Sequence, residues 1–187
     1  MLLVLILGTA GLIIYKKNHH FSSIAAGTVI DSLNGVKVYY NGSVGNISGR
    51  NFAADGYNLG LKYQCVEFVK RYYYEHLNHK MPDSYGDAKD FFNHSLKDGE
   101  LNKKRNLIQH SNPGRYKPKV DDMLIYSGST FNKFGHVAIV SKVSAGEIEI
   151  IQQNAGPVSG ARQNFKLKNR GRTWEIGNER IMGWLRK

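Results

Sequence analysis

Residues 123–154 read MLIYSGSTFNKFGHVAIVSKVSAGEIEIIQQN, and this stretch decides the fold. Its apolar and β-branched residues fall into short runs separated by turn-forming residues such as those of Ser144–Gly146. Together with two later runs, the pattern predicts strands at 123–126, 137–143, 147–153, 163–168 and about 180–185. Connections of a few residues join antiparallel neighbours, so we expect an antiparallel sheet.

Upstream of these strands the hydrophobic period changes to that of helices. A helix is predicted from Gln64 to about His79, and a second from Ser84, whose hydroxyl and Asp87 resemble a capping box. A short strand is predicted at 36–39, between two Asn-Gly turns. Residues 100–119 are rich in Lys and Arg and contain two prolines, which indicates a solvated loop. Helices followed by a strand meander predict an α+β domain.

The first residues form a different kind of segment. Residues 1–15 are uncharged and apolar, and Lys16 and Lys17 follow them. As a helix this run would cover about 22 Å of a hydrocarbon core about 30 Å thick. We expect an uncleaved membrane anchor with a basic flank at 1–20 and a domain at 21–187, and a terminal core helix is the alternative. The two lysines favour a cytoplasmic domain by the positive-inside rule, so the topology stays open.

Composition narrows the possible functions. The 187 residues suit a single domain, and the lone cysteine excludes internal disulfides and cysteine-rich zinc sites. Asp121 and Asp122 would face opposite ways on a strand, so they are poor joint ligands for a metal ion. No metal and no other cofactor is predicted. The net charge is +11. Residues 1–20 hold two lysines and no acid, so the remaining 24 basic and 15 acidic residues leave the domain at +9. Polyanionic partners such as cell-wall polymer, acidic lipid or nucleic acid are favoured.

Two residues could form a nucleophile and its base. Cys65 would lie in the first turn of the predicted helix, where N–H groups and the helix dipole lower a thiol pKa. His136 opens a strand and could project from its end into a cleft. On the next strand, alternation places Gln152 and Asn154 on one face and Glu149 on the other, so either amide could orient the imidazole. Cys65 and His136 each also have a purely structural explanation. A lone cysteine, for example, is often a small buried hydrophobic residue.

Four motifs in order, LKYQCVEFVKR at 61–71, DMLIY at 122–126, GHVAIV at 135–140 and QQN at 152–154, resemble the CHAP family of cysteine, histidine-dependent amidohydrolases and peptidases. The likeness covers the chain from about Gly27 and is closest to the amidase domain of bifunctional glutathionylspermidine synthetase/amidase. It implies a papain-like α+β fold, with N-terminal helices packed on an antiparallel sheet. It also implies that Cys65 is the nucleophile and His136 the base.

This sequence departs from the family pattern at one position. The family usually has an acid where Gln152 stands and an Asn where Asn154 stands. An amide oxygen at Gln152 can still accept the Nδ1–H of the imidazole, but it adds no negative charge. For the oxyanion, the backbone N–H of Cys65 and a second donor at Gln64 or Tyr63 are expected.

The resemblance implies hydrolysis of an amide bond through a thioester on Cys65. Peptidoglycan peptides are the favoured substrate, because an anchored basic domain suits an anionic wall, and the domain would then be periplasmic or extracellular. Hydrolysis of glutathionylspermidine is the alternative, and it would fit a cytoplasmic domain. A non-catalytic wall-binding module and electrostatic binding to nucleic acid or lipid are further possibilities, although no specific nucleic-acid motif is present.

Overall fold

The computed structural model describes residues 24–156 and 159–187. In chain order the elements are β1 (Val29–Leu33), β2 (Val36–Tyr39), β3 (Arg50–Phe52), β4 (Asn58–Leu61), α1 (Cys65–Glu75), a 3-10 helix (Ala88–Phe91), β5 (Glu100–Asn102), β6 (Leu107–Ser111), β7 (Met123–Tyr126), β8 (His136–Val143), β9 (Glu147–Ile151), β10 (Arg162–Asn169), β11 (Trp174–Ile176) and β12 (Ile181–Arg186).

The architecture is α+β, as predicted. One eight-stranded sheet has the order β11-β10-β9-β8-β7-β12-β6-β5, and all its pairings are antiparallel. Two hairpins, β1–β2 and β3–β4, lie beside it. The turn between β1 and β2 uses Asn34 and Gly35, both with positive φ, which is the backbone that a tight hairpin turn requires.

The sheet is apolar on both faces because its central strands bury successive side chains on opposite sides. On β7, Met123 and Ile125 pack with the helix residues Phe68, Val69 and Tyr72. The alternate positions on the neighbouring strands form a second cluster on the other face, which includes Leu124, Ala138, Val140, Ile148, Ile150 and Trp184. Helix α1 therefore covers one face, and it brings its first residue, Cys65, to the sheet.

Two predictions about the helices need correction. The first helix is shorter than expected, since it ends at Glu75. The second helix is wrong: in the described residues the segment after Ser84 contains only the four-residue 3-10 helix. Its capping box joins Asp87 to Asp90, three residues later than predicted. The fold class therefore holds with one α-helix in the described part of the chain rather than with several.

The predicted solvated loop at 100–119 is wrong over its first part, because β5 and β6 form within 100–111 and extend the large sheet, whereas residues 112–119 lie outside the strands. Arg105 is almost fully buried, with its guanidinium 3.7 Å from the centre of the Phe91 ring. It donates hydrogen bonds to the carbonyls of Asp83 and Tyr85. These carbonyls compensate the buried charge, and a count of basic residues could not reveal them.

The predicted anchor at 1–20 lies outside the described residues. Within 24–156 and 159–187, no helix has the length and apolar character needed to cross a bilayer.

Candidate active site

Cys65 is the first residue of α1 and the one cysteine of the chain. Desolvation by burial raises the pKa of the Cys65 thiol to about 11, and it outweighs the backbone N–H groups of Val137, Val66 and Cys65 itself, which act to lower that pKa. The expectation of a lowered pKa is therefore wrong for this structure. A helix N-terminus favours a thiolate only where the sulfur keeps enough solvation, and this sulfur is closely surrounded although the residue as a whole is partly exposed.

His136 is the first residue of β8 and is buried. Its Nε2 lies 3.1 Å from Oε1 of Gln152. The amide of Gln152 is oriented by a second bond, in which its Nε2 donates to the carbonyl of Gly160 at 3.1 Å. Because Oε1 can only accept, the imidazole proton lies on Nε2 and the lone pair of the neutral ring lies on Nδ1. Gln152 thus contacts the imidazole as predicted, but at Nε2 rather than at Nδ1.

The imidazole is uncharged at neutral pH. Burial lowers the pKa of His136 to about 4, and the positive charge of Arg180 lowers it further, against the opposing effect of the Gln152 hydrogen bond. The ring of Tyr126 packs edge-on against it at 5.5 Å. Cys65 and His136 therefore rest as a neutral thiol and a neutral imidazole.

The two residues lie at the start of neighbouring elements, Cys65 at the first residue of α1 and His136 at the first residue of β8. The N–H of Val137, the residue that follows His136, is one of the groups that act to lower the pKa of the thiol. By alternation His136 shares a sheet face with Ala138 and Val140, which belong to the cluster opposite α1. Among the described residues, no hydrogen bond joins the thiol to the imidazole.

Within the described ranges, no hydrogen bond joins Asn154 to His136. The strand ends at Ile151, and Asn154 has a φ of 55°, so strand alternation no longer governs its direction. Its Nδ2 donates to Oε1 of Gln64 at 2.6 Å and to the carbonyl of Val44 at 3.0 Å. Of the two amides predicted to approach the imidazole, only Gln152 does so. Glu149 bonds to Ser141 and Arg162, as its position on the other face requires.

Gln64 and Tyr63, the two alternatives for the second oxyanion donor, lie directly before the nucleophile. The side chain of Gln64 is held at both ends, because its Nε2 donates to the carbonyl of Asn46 at 2.9 Å and its Oε1 accepts from Asn154. Tyr63 has a φ of 66° and its ring lies 5.5 Å from that of Tyr39. The structure therefore fixes Gln64 beside Cys65 and uses Tyr63 as the turn into the helix.

Gln153 is fully buried and was not predicted as a residue of the site. Its Oε1 accepts from the N–H of Tyr39 at 2.7 Å, and its Nε2 donates to the carbonyl of Gln64 at 3.0 Å and to Oε2 of Glu67 at 2.9 Å. Glu67 in turn accepts from Arg71 and Asn51. Two features of the sequence could have indicated this role. Gln153 stands between two polar residues at a strand end, and the acid Glu67 comes two residues after Cys65.

The consecutive residues 152–154 thus join the parts of the site. Gln152 binds the imidazole, Gln153 binds the backbone before the nucleophile, and Asn154 binds the side chain of Gln64. A cavity of about 280 Å³ adjoins Gln152 and Asn154. In the described part of the chain, no group of three or more His, Cys, Asp or Glu side chains could hold a metal ion.

A model of the CHAP domain matches residues 55–154, just over half of the chain. The chain belongs to the CHAP domain family. CHAP domains are in general amidases and peptidases, and Cys65, His136 and residues 152–154 all lie within the matched part. Trypanothione synthetase of Crithidia fasciculata is similar to this chain, with 32% identity over 107 residues. The match covers 57% of this chain and 16% of that protein, so the chain corresponds to a small part of it.

Proposed function

We propose that this CHAP domain hydrolyses an amide bond, with Cys65 as nucleophile and His136 as base. The observation that carries the proposal is the set of hydrogen bonds through which residues 152–154 tie the imidazole of His136 to Gln64, the residue directly before Cys65. The bond between Nε2 of His136 and Gln152 leaves Nδ1 as the basic nitrogen. We also propose that α1 and the sheet form the papain-like arrangement that the family resemblance implies.

The reaction would proceed in two stages. Nδ1 of His136 takes the thiol proton while the sulfur of Cys65 attacks the carbonyl carbon, and the oxyanion accepts hydrogen bonds from the N–H of Cys65 and a donor at Gln64. The C–N bond then breaks, the imidazolium protonates the leaving amine, and a thioester remains. In the second stage Nδ1 takes a proton from water while the oxygen of that water adds to the thioester carbonyl. The C–S bond then breaks, the carboxylic acid leaves, and the sulfur of Cys65 takes the proton back from the imidazolium.

The resting charges determine how the proton moves. Because the pKa of Cys65 is raised to about 11 and that of His136 is lowered to about 4, a preformed thiolate–imidazolium pair is disfavoured. Proton transfer therefore accompanies attack on the substrate. Because no hydrogen bond joins the thiol to the imidazole in the described part of the chain, Nδ1 would approach the thiol before the proton moves.

The proposed substrate is a peptide of peptidoglycan. The basic charge of residues 21–187 suits an anionic wall, and an anchor at 1–20 would hold the domain there, on the periplasmic or extracellular side. Hydrolysis of glutathionylspermidine is the second candidate, favoured by the similarity to a trypanothione synthetase.

Mass spectrometry of muropeptides incubated with the full chain tests this function. New free amines are expected with the wild type and none with Cys65→Ala, because the reaction needs the sulfur. Glutathionylspermidine is incubated in parallel under the same conditions. Equal products from wild type and Cys65→Ala would refute the mechanism, and no product from either substrate would leave a non-catalytic binding module as the better explanation.

A further inference from the structure

Three hydrogen bonds use the whole amide group of Gln153. Its Oε1 accepts from the N–H of Tyr39 at 2.7 Å, and its Nε2 donates to the carbonyl of Gln64 at 3.0 Å and to Oε2 of Glu67 at 2.9 Å. Because the first partner can only donate and the other two accept, the amide fits in one orientation only. The side chain is fully buried, which shields these bonds from solvent.

The acidic partner of Gln153 is itself fixed. Glu67 is 2% exposed, and its Oε1 accepts from Nε of Arg71 at 2.6 Å and from Nδ2 of Asn51 at 2.9 Å. Arg71 also donates to the carbonyl of Lys37 at 2.8 Å. Gln153 is therefore anchored to β2, to β3 and to the first turns of α1, and its position does not depend on a single contact.

One of the bonds of Gln153 fixes the peptide group between Gln64 and Cys65. This group contains the carbonyl of Gln64 and the N–H of Cys65, which point in opposite directions because a trans peptide is planar. The carbonyl accepts from Nε2 of Gln153 and, at 3.2 Å, from the N–H of Phe68 in the helix. Because two donors hold the carbonyl, the direction of the Cys65 N–H is held as well.

The N–H of Cys65 has no acceptor within the helix, because Cys65 is the first residue of α1. A peptide N–H becomes a stronger donor when the carbonyl of the same peptide group accepts hydrogen bonds, because the bonds polarise one another. The bond from Gln153 to Gln64 therefore affects both the direction and the strength of this donor.

We propose that Gln153 is a positioning residue, which aims the N–H of Cys65 at the oxyanion that forms when the sulfur attacks a carbonyl carbon. Gln153 acts through the peptide group between Gln64 and Cys65 and does not itself contact the substrate. This role rests on the proposed function in one respect, namely that Cys65 attacks a carbonyl group.

Two reagents that modify the same thiol separate this role from a structural one. In acylation by p-nitrophenyl acetate, the sulfur of Cys65 adds to the ester carbonyl and an oxyanion forms. The C–O bond then breaks, p-nitrophenolate leaves, and the thiol proton passes to the imidazole of His136. Iodoacetamide instead alkylates the sulfur with loss of iodide from a saturated carbon, so no oxyanion forms. Both reactions use the same thiol, so the ratio of their rates reports on stabilisation of the oxyanion.

Gln109 on β6 offers a matched control. It is 1% exposed, its Oε1 accepts from the N–H of Asn93 and from Nδ2 of Asn102, and its Nε2 donates to the carbonyl of Asn93. Gln153→Met and Gln109→Met therefore each remove three hydrogen bonds from a buried glutamine of similar volume. Only the first change affects the peptide group before Cys65.

In the full chain, Gln153→Met should lower the ratio of acylation rate to alkylation rate about tenfold, and Gln109→Met should leave it within about twofold of the wild-type value. Loss of an oxyanion donor costs about 100-fold or more, whereas here the donor remains but is no longer held. Acylation is measured as the release of p-nitrophenolate beyond that of Cys65→Ala.

Gln153→Glu is the second variant, and it decides the question if Gln153→Met does not fold. It keeps an acceptor for the N–H of Tyr39 but lacks the second hydrogen that the carbonyl of Gln64 requires, so the same selective loss of acylation is expected. Thermal melting verifies that each variant is folded.

The outcomes are distinguishable from those of the hydrolysis assay. An unchanged ratio in the Gln153 variants, an equal loss of both rates, or the same change of ratio in Gln109→Met would overturn the positioning role and leave hydrolysis through Cys65 unaffected. A wild type that is acylated no faster than Cys65→Ala would also overturn it, since no oxyanion would then be stabilised. A selective loss of acylation without cleavage of muropeptides or glutathionylspermidine would support the positioning role and defeat the proposed function.

Discussion

Replacing Gln152 with Glu should raise the pKa of the His136 imidazole from about 4 to about 7. The new carboxylate would stand where the amide oxygen now lies, 3.1 Å from Nε2. Two opposite charges about 4 Å apart attract by about 4 kcal/mol at an effective dielectric constant of about 20. At about 1.4 kcal/mol per pKa unit, this attraction stabilises the imidazolium by about 3 units.

The same change should activate the thiol. An imidazolium near Cys65 favours the thiolate, so the rate at which iodoacetamide alkylates the sulfur at pH 7 should rise at least tenfold. The variant loses the hydrogen bond from Gln152 to the carbonyl of Gly160, so its stability is expected to fall even as its thiol becomes more reactive.

Two measurements follow the two groups separately. An NMR titration between pH 3 and 9 follows the imidazoles, and the signal of His136 is assigned by its absence in His136→Gln, which is needed because the chain has seven histidines. Alkylation of the full chain reports on Cys65 alone, because it is the one cysteine. Gln163→Glu makes the same chemical change at an exposed position on β10 and serves as the control.

A shift of less than one unit in the pKa of His136 in Gln152→Glu would refute the reasoning, because a buried carboxylate at that distance should stabilise the imidazolium by more than this. An equal shift in Gln163→Glu would also refute it, since the effect would then come from net charge rather than from contact with the imidazole.

Three further predictions use the same groups. In the wild type, alkylation of Cys65 should rise steadily with pH up to pH 10, because the pKa of the thiol is about 11, and a plateau that begins below pH 8 would contradict this. The contribution of His136 to the free energy of unfolding should fall by about 3 kcal/mol between pH 6.5 and 4, because the unfolded chain takes up a proton at His136 near pH 6.5 and the folded chain only near pH 4. Urea unfolding should detect this loss and should find it removed in His136→Gln. Gln153→Ala should lower the free energy of unfolding by about 2–4 kcal/mol, since it leaves several buried polar groups unpaired, whereas Gln163→Ala should change it by less than about 0.5 kcal/mol.

The strands were predictable because their side chains alternate between two buried faces. The apolar runs at β7, β8, β9, β10 and β12 gave positions within two residues of those observed. The helix predicted after Ser84 was wrong because Ala88, Phe91 and Phe92 have helical spacing, whereas the backbone there forms only a four-residue 3-10 helix. Periodicity identifies a buried face, and it does not determine how many turns the backbone continues.

The site was predictable in its members and less so in its geometry. The motifs around Cys65 and His136 indicated both residues, and strand alternation indicated Gln152. The direction of the Cys65 pKa shift could not be predicted, because it depends on whether burial outweighs the helix N-terminus. The role of Gln153 depends on where the end of β9 crosses the start of α1, which no local pattern encodes.

The position of β12 in the sheet has a consequence for how the chain must be made. This strand is late in the sequence yet joins β7 to β6 in the middle of the sheet, and its Trp184 and Leu185 are fully buried. During synthesis, β6 and β7 leave the ribosome before β12. Until β12 pairs with them, their edges are unpaired and prone to pair with other chains. A fragment limited to the family match at 55–154 would keep Cys65 and His136 but would leave those edges open permanently. Such a fragment contains the proposed catalytic residues and lacks the strand that closes the sheet around them.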